Sequence, residues 1–440
     1  MHNSILVRNL GPLENVNLDL TSQFSTVIGA QASGKSTLAK IIYFCKKIRD
    51  YTIKFIGEDK VFFSGVTEDC YSAFLKNLLR KFMSTFDVAE FASENFYVKY
   101  NYDESSFVQL ILDSEGFVKF SFSSNIENKL QTLFANVKKF NYETLPQVID
   151  RWDNITIDNF WQLQAATLQK TNWVNDLFHD KADYIYIPAG RGILSILATK
   201  LVDLNNTNLG LPIKDFIRRV LVAKNRFKIN LDKVVENYTK TTEKAINESD
   251  IKLAQDLIRT ILKANYVNHA EGERLYIDSG HYINLIQGSS GQQESLWILL
   301  FMFSIILENK QTFIILEEPE ANVYPNTQKE IIKLIALTLN STNSQVFITT
   351  HSPYILTSAN LLIHSGRVEN NISNNNIVIP ERFRIAPETT AAYKFEDDNT
   401  LKTIRDNDTG MINASEIDTV SDIIVAETEK LIDLELKYGL

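Results

Sequence analysis

Several short segments rich in aliphatic, β-branched and aromatic residues are spread along the chain, and each ends at a polar or turn-forming residue. They are residues 25–28, 184–187, 313–316 and 346–350. Segments of this kind are typical of strands covered on both faces of a parallel sheet. Residues 91–123 alternate apolar and polar positions, which predicts antiparallel strands. Residues 126–180 and 200–268 carry mostly helical patterns. The chain is therefore predicted to be an α/β protein.

Residues 29–36 match the pattern Gly-x-x-x-x-Gly-Lys-Ser between a predicted strand and a predicted helix. In such a turn backbone N–H groups surround a phosphate, and the helix dipole adds positive potential. Lys35 is expected to reach the β- and γ-phosphates, and the Ser36 hydroxyl to bind Mg²⁺. The alternative is an ordinary turn before a helix. We expect the phosphates to lie against Gly29, Ala30, Gln31, Ala32, Ser33, Gly34, Lys35, Ser36 and Thr37, where Gly29 and Gly34 suit positions at which a Cβ atom would obstruct the backbone.

Two consecutive carboxylates, Glu317 and Glu318, follow the apolar segment 313–316. Adjacent residues of a strand point to opposite faces, so the two carboxylates can have different roles. We expect Glu317 to bind Mg²⁺ through water, and Glu318 to polarise or deprotonate the water that attacks the γ-phosphate. The alternative is a solvated strand end.

His351 follows the predicted strand 346–350 and is one of six histidines in the chain. Ligands of parallel α/β sheets bind at the carboxyl ends of the strands. His351 is therefore a candidate to contact the γ-phosphate or to position the attacking water. The alternative is a structural histidine satisfied by its neighbours.

Residues 289–293, Ser-Ser-Gly-Gln-Gln, precede a strongly apolar helical pattern. A small polar turn at a helix N-terminus is another arrangement that binds anions. Ser290 and Gln293 also have the spacing of a capping box, and the two interpretations are compatible.

Together, in this order, these segments resemble those of ABC-type ATPases of the SMC/RecF/OLD kind. Residues 29–36 match the Walker A loop of that family, and its signature core is matched by Ser290, Gly291 and Gln293. The second glycine of the signature is replaced by glutamine. Glu317 replaces the usual Walker B aspartate, as in OLD-like members that have Glu-Glu-Pro-Glu at this place.

The resemblance implies a P-loop NTPase head of the ABC type with a mixed sheet, an antiparallel β subdomain and a largely helical insertion. It divides the chain into ATPase lobe I (1–125), the insertion with a core strand near 184–188 (126–274), ATPase lobe II (275–365) and a C-terminal extension (366–440).

The resemblance also implies that two heads enclose ATP and Mg²⁺, each signature facing the Walker A loop of the other head. The active species would be a homodimer, or a higher homo-oligomer joined through the ATP sites. Lys35, Glu318 and His351 would be catalytic, Ser36 and Glu317 would hold the metal, and the opposing head would bind the nucleotide through Ser290, Gly291 and Gln293.

The net charge of −9 argues against a generally basic nucleic-acid-binding protein. One segment departs from this average, with basic residues at Lys214, Arg218, Arg219, Lys224, Arg226, Lys228 and Lys233. It could contact DNA or RNA, or it could be the solvated face of a helix whose apolar side faces the core, which is the favoured interpretation. The most apolar stretch, 296–307, is too short to span a bilayer. We therefore expect a cytoplasmic protein with no membrane association.

Arg191, in the turn after residues 184–187, could bind phosphate or a neighbouring subunit, or it could pair with a buried carboxylate. Many OLD-like proteins carry a Toprim nuclease, which holds metal with a Glu and an Asp-x-Asp pair. Asp406 and Asp408 have that spacing, but they follow a mostly polar segment and suit a turn, so no Toprim domain is expected. Residues 415–434 predict an amphipathic helix.

OLD-like ATPases without Toprim resemble the ATPase subunits of anti-phage systems such as Septu and PARIS and of some retron-associated operons. This resemblance leads to the hypothesis of a sensor or motor subunit that controls a separately encoded nuclease or toxin. The alternative is a DNA-repair ATPase of the SMC/RecF kind, whose hydrolysis would be stimulated by DNA.

Overall fold

The computed structural model describes residues 3–57, 69–86, 92–135, 171–198, 209–243, 245–278, 280–369, 377–413 and 425–432. The strands are β1 (Ser4–Leu10), β2 (Leu13–Asp19), β3 (Phe24–Ile28), β4 (Ala92–Asn101), β5 (Phe107–Leu112), β6 (Val118–Phe122), β7 (Asp183–Ile187), β8 (Asn265–His269), β9 (Gly272–Tyr276), β10 (Tyr282–Asn284), β11 (Thr312–Glu317), β12 (Gln345–Thr350), β13 (Thr390–Phe395) and β14 (Leu401–Thr403). The principal helices are α1 (Lys35–Gly57), α2 (Cys70–Met83), α3 (Arg191–Ala198), α4 (Leu211–Arg226), α5 (Leu231–Thr241), α6 (Glu248–Leu262), α7 (Ser290–Glu308), α8 (Pro325–Thr342) and α9 (Pro353–Glu369).

The central sheet has six strands in the order β14-β13-β3-β12-β11-β7. All of its neighbouring pairs are parallel except β14 with β13. The four segments predicted as buried strands are β3, β7, β11 and β12, so that prediction is confirmed. Because parallel strands end at the same edge of a sheet, the residues that follow β3, β11 and β12 come together at one edge.

A second sheet of five strands is antiparallel, in the order β2-β1-β4-β5-β6. It confirms the antiparallel subdomain predicted from residues 91–123. Helix α1 packs against both sheets. Phe44 lies with its ring centroid 6.0 Å from that of Phe120 on β6, and the Lys46 ammonium lies 4.3 Å from the ring centroid of Phe313 on β11. The structure thus confirms the predicted α/β class with two kinds of sheet.

The described part of the predicted insertion contains α4, α5 and α6, of which α4 and α6 pack against α7. Phe216 of α4, for example, meets Phe301 of α7 with ring centroids 6.0 Å apart. The insertion also contributes β8 and β9, which form a three-stranded antiparallel sheet with β10. The helical prediction for residues 265–268 is therefore wrong, because this strand is too short to show a period. The predictions for residues 136–170 and 199–208 lie outside the described residues.

The segment after residue 365 adds two strands to the central sheet. β13 pairs in parallel with β3, the strand that leads into the phosphate loop. The sheet therefore continues across the boundary placed at 365 and 366. Asp406 accepts hydrogen bonds from the backbone N and the hydroxyl of Thr409, both at 2.7 Å, which confirms the predicted turn at this place. Of the amphipathic helix predicted at 415–434, residues 425–432 are described and helical, and the others lie outside the described residues.

The apolar stretch 296–307, predicted to be too short to span a bilayer, belongs to a longer helix: α7 has 19 residues and is, among the described residues, long and apolar enough to cross a membrane by length and composition. Most of its residues are buried inside the molecule, including Trp297 and Leu300 with no exposed surface. The strongly apolar helical pattern that follows residues 289–293 is thus a helix buried in the core.

Candidate active site

The phosphate loop runs from the end of β3 to the start of α1, as predicted. Ala32 and Gly34 have φ angles of 64° and 96°, in the left-handed region. A Cβ atom at Gly34 would lie 2.6 Å from Cδ2 of Leu13, at the start of β2, and one at Gly29 would lie 2.8 Å from Cβ of Phe395, at the end of β13. The two glycines are thus required because neighbouring strands press on the loop.

Lys35 is buried at the first position of α1. Its ammonium group donates hydrogen bonds to the carbonyl oxygens of Gly29 at 2.9 Å and Ala30 at 2.6 Å, and to Ser33 Oγ at 3.2 Å. Burial lowers the pKa of Lys35, while the carboxylates of Glu318 and Glu320 partly oppose that shift. The lysine therefore occupies the concave side of the loop, where a phosphate would offer it stronger acceptors than carbonyl oxygens.

Glu317 is the last residue of β11 and is 4% exposed. Its Oε2 atom accepts a hydrogen bond from the backbone N of Ala189 at 3.4 Å. Its buried Oε1 atom has no hydrogen-bond partner among the described residues. The Tyr186 hydroxyl is also buried without a hydrogen-bond partner among the described residues. Burial, and then the charge of Glu317 and its side-chain interaction with the Tyr186 hydroxyl, raise the pKa of Tyr186 well above its usual value. A buried carboxylate oxygen without a partner is costly, and a divalent cation or its water shell would satisfy it.

Glu318 lies directly after β11, in a left-handed conformation with φ of 43°. Its backbone N donates to the carbonyl oxygen of Thr349 at 2.8 Å. Its Oε1 atom lies 3.5 Å from Nε2 of His351, and both side chains are a little over a third exposed, at 37% and 38%. The structure thus brings Glu318 and His351 together, and it directs Glu317 and Glu318 to different surroundings. Left-handed backbone at a non-glycine residue is uncommon and concentrates at functional sites.

Glu320 is a site residue to which the sequence analysis gave no role. Its Oε1 atom accepts hydrogen bonds from the backbone N of His351 at 2.7 Å and from the Thr350 hydroxyl at 2.8 Å. Its Oε2 atom is buried and has no partner among the described residues. Glu320 therefore fixes the backbone that carries His351. The Glu-Glu-Pro-Glu sequence was the available signal, but the partners of Glu320 are distant in sequence.

The Ser-Gly-x-Gln segment begins helix α7, and one detail of its prediction is wrong. The residue that caps the helix is Ser289, which forms a capping box with Gln292, whereas Ser290 is the first helical residue. Ser290 is exposed. The amide of Gln293 donates to the carbonyl oxygens of Ile286 at 3.2 Å and Gly288 at 2.9 Å. The register is displaced because Ser-Ser and Gln-Gln repeats allow two equivalent pairings.

Gly291 lies close to the loop after β11. A Cβ atom there would be 2.9 Å from the carbonyl oxygen of Asn322. The signature turn therefore packs directly on the residues that follow Glu318 and Glu320 in the chain. This contact accounts for a small residue at position 291 whether or not the turn binds an anion.

The basic segment on α4 and its surroundings is largely neutralised within the molecule. Lys224 lies 2.7 Å from Glu273, Arg219 lies 2.8 Å from Asp183, and Arg226 lies 2.5 Å from Glu308. The apolar residues Phe216 and Val220 are fully buried, and Leu221 packs against the same core. The interpretation as a helix face, rather than a nucleic-acid surface, is supported. Arg191 is fully buried and pairs with Glu294, so of its two interpretations the structure supports the one with a buried carboxylate.

Within the described residues no group of three or more His, Cys, Asp or Glu side chains could hold a metal. Mg²⁺ at an ATP site commonly takes one or two protein ligands and completes its shell with phosphate and water. The exposed Ser36 hydroxyl and the unpartnered Glu317 oxygen fit that requirement.

The comparisons with known proteins concern the family and the fold. Among solved structures, the chain is similar to the SmcHead bound to the C-winged helix domain of ScpA, with 9% identity and a TM-score of 0.40 over 92% of this chain and 96% of that chain. It is similar to the SMC head domain from Thermotoga maritima, with 10% identity and a TM-score of 0.36 over 92% and 98%. It is also similar to the Smc head domain with an extended coiled coil bound to the C-terminal domain of ScpA derived from Pyrococcus furiosus, with 9% identity and a TM-score of 0.36 over 92% and 95%.

No curated protein matches the chain. The sequence profile of the AAA ATPase domain family (AAA_15) matches residues 1–356. This region contains the phosphate loop, the Ser-Gly-x-Gln turn, both glutamates after β11 and His351. The chain belongs to the AAA ATPase domain family, and it is an ATPase.

Proposed function

We propose that ATP hydrolysis occurs at the carboxyl edge of the central sheet, with Glu318 as the group that activates water. The observation that supports this most is the 3.5 Å approach of Glu318 and His351 beside the phosphate loop edge. The backbone N–H groups of residues 29–37 would bind the phosphates, and Lys35 would exchange its loop carbonyls for phosphate oxygens. Glu318 would accept a proton from the attacking water, and His351 would hold that water or the γ-phosphate.

In this proposal Ser36 and Glu317 hold Mg²⁺, which would draw negative charge from the phosphates when bound. Glu317 is suited to this role because its Oε1 atom is buried and without a described partner. Its other oxygen is held by Ala189 N at 3.4 Å, which fixes the carboxylate on the strand end. Glu318 is free of that restraint and is more exposed, as a group that must meet a water molecule has to be.

We further propose that the site is completed by a second copy of the chain. Ser290 is exposed at the N-terminus of α7. The amides of Gln292 and Gln293 bond within their own turn and to Leu262, so the turn is already formed before any partner arrives. An exposed, preformed helix N-terminus suits a γ-phosphate presented by another subunit. Glu318→Gln protein should keep ATP bound and accumulate as a dimer with Mg-ATP. Unchanged mass by light scattering would contradict the dimer.

For the cellular role, we propose a cytoplasmic sensor or motor subunit of an anti-phage system, acting on a separately encoded nuclease or toxin. The support is the resemblance of residues 317–320 to the Glu-Glu-Pro-Glu of OLD-like ATPases. The test is to express the chain with its neighbouring genes, to purify the complex, and to measure plaque formation with and without Lys35→Ala. A chain that has no partner and protects no cell would contradict the defence role and leave the ATPase standing. Hydrolysis stimulated by DNA would instead favour the repair alternative.

A further inference from the structure

Arg191 is a fully buried arginine at the start of α3. Its hydrogen bonds all go to backbone carbonyl oxygens, and the Glu294 carboxylate lies 3.8 Å from its Nε atom. Nη1 donates to Pro188 at 3.1 Å and to Glu317 at 2.9 Å. Nη2 donates to Glu318 at 3.1 Å, and Nε donates to Glu294 at 2.7 Å. One planar group thus joins the backbone of Glu317 and Glu318, at the end of β11, to the first turns of α7, the helix that begins at Ser290.

A second set of contacts runs parallel to these bonds. The backbone N of Gly192 donates to Oε1 of Glu294 at 3.3 Å, and a Cβ atom at Gly192 would lie 3.0 Å from that oxygen. Ala189, on the other side of Arg191, donates to Glu317. The residues between β7 and the start of α3 therefore contact the carboxyl edge of the central sheet through Ala189 and helix α7 through Gly192.

The charge of Arg191 is held among four carboxylates. Burial lowers the pKa of Arg191 to about 10, and Glu294 opposes this most, followed by Glu320, Glu318 and Glu317. The group thus stays cationic at neutral pH. A guanidinium keeps its donors in one rigid plane, so a shift of the Glu317 and Glu318 carbonyls displaces the Glu294 carbonyl as well. A lysine at this place has a single ammonium group in place of several donors spread over a rigid plane, so it cannot bind the same carbonyl oxygens at once.

We propose that Arg191 is a positioning residue that couples the two ATP sites of the dimer. This rests on the proposed function, in which Glu318 serves the subunit's own site and Ser290 serves the site of the partner. Arg191 holds both within one subunit, so a change at Glu318 on γ-phosphate binding or release moves the signature offered to the other nucleotide. ATP hydrolysis at one site would then depend on the state of the other site.

Mixed dimers of differently tagged chains test this coupling. With Glu318→Gln in one subunit, a single active site remains, built from Glu318 of the unaltered subunit and Ser290 of the altered one. Arg191→Lys is then placed in either subunit. Coupling predicts that kcat falls about 10- to 100-fold in both arrangements, and that KM for ATP changes less than about threefold. Loss only when Arg191→Lys is in the subunit that supplies Glu318 would overturn the coupling, since Arg191 would then support its own site alone.

Arg219→Lys is the matched control. Arg219, on α4, contacts the opposite end of β7, where it binds Asp183 and the carbonyl oxygen of Tyr184, and its conservative variant should leave kcat unchanged. If Arg191→Lys does not fold, Glu294→Gln is used. It keeps the hydrogen bond from Arg191 to the Glu294 carbonyl oxygen and removes the carboxylate charge that lies 3.8 Å from Nε of Arg191. A fall in kcat in both arrangements is again expected, and no fall in either would overturn the coupling. Glu318→Gln homodimers that hydrolyse ATP at the unaltered rate would overturn the proposed function itself.

Discussion

At the amino edge of the central sheet, Asp183 accepts hydrogen bonds from Arg219 at 2.8 and 3.1 Å and from Lys310 at 3.1 Å, whereas at the carboxyl edge Glu317 keeps one buried oxygen without a described partner. Both residues lie at the ends of neighbouring strands, β7 and β11. Burial alone would raise the pKa of Asp183, but Arg219 and then Lys310 outweigh it and hold the pKa well below its usual range. Glu320, also at the carboxyl edge, has a second buried oxygen without a described partner.

The contrast between Asp183 and the glutamates of the carboxyl edge shows that a buried carboxylate can serve either stability or ligand binding. A carboxylate matched by cations stabilises the folded chain, and removing one partner leaves the other uncompensated. A carboxylate left short of donors costs stability, and such groups persist where a ligand supplies the missing interaction. The amino edge thus serves the fold, while in the proposed function the carboxyl edge would receive phosphate, metal and water. The same substitution at the two edges should therefore have opposite consequences.

The largest effects are expected at the carboxyl edge. Lys35→Ala should remove ATP binding, because the only ammonium held within the described phosphate loop is lost. Glu318→Gln should keep ATP binding and lower kcat by about 10²- to 10⁴-fold, as expected for loss of a general base. Isothermal titration calorimetry measures ATP binding, and single-turnover hydrolysis measures the rate of cleavage. Equal ATP affinity in both variants would show that the roles are assigned wrongly.

At the amino edge, Asp183→Asn should lower the free energy of unfolding by about 2 to 3 kcal/mol, because Arg219 and Lys310 lose their common partner. The kcat for ATP should stay within about twofold, since the group is remote from the phosphates. Urea unfolding and steady-state hydrolysis measure the two quantities. Asp215→Asn, which removes the half-exposed pair with Arg218, is the control and should cost under about 1 kcal/mol.

Glu317→Gln makes the same carboxylate-to-amide change at the other edge. It should lower the free energy of unfolding by less than about 1 kcal/mol or raise it, because a neutral amide costs less to bury than a carboxylate oxygen without a donor. Binding of ATP should become much less dependent on Mg²⁺. A loss of stability as large as that of Asp183→Asn would remove the distinction between the two edges.

The smallest effect is a pH dependence confined to the amino edge. The pKa of Asp183 is lower in the folded chain than in the unfolded chain, so its contribution to stability is complete above the unfolded pKa of about 3.9. The contribution is lost as pH falls through that value toward the folded pKa. The stability gap between the native protein and Asp183→Asn should thus be constant from pH 6 to 8 and shrink below about pH 4. A gap that stays constant in acid would show that charge is not its cause.

The sequence was sufficient where the information is local. The apolar runs and the glycines around Lys35 predict β3, β11, β12 and the loop, because strand, turn and helix propensities act over a few residues. The sequence also predicts a helix start near Ser290. It does not identify the capping residue, because the repeated Ser and Gln residues allow two capping boxes with the same spacing.

Other features depend on distant partners. Arg191 binds Glu294 and Glu317, which are 103 and 126 residues away in sequence, and neither contact has a local pattern. Glu320 acts through the backbone 31 residues away at His351. β13 escaped prediction because Thr390–Phe395 has two alanines and Lys394 in place of a continuous run of large apolar residues, and only its pairing with β3 makes it a central strand.

The central claim, that one copy supplies Lys35 and Glu318 while another supplies Ser290, is tested most directly by mixing two inactive proteins. The Lys35→Ala variant keeps an unaltered Ser290, and the Ser290→Arg variant keeps an unaltered phosphate loop. Each should be inactive alone. In an equal mixture half of the dimers are mixed, each with one complete site, so hydrolysis should return to at most about a quarter of the native rate, and to less where the two sites are coupled. A mixture that stays inactive although both proteins are folded and exchange subunits would contradict the claim.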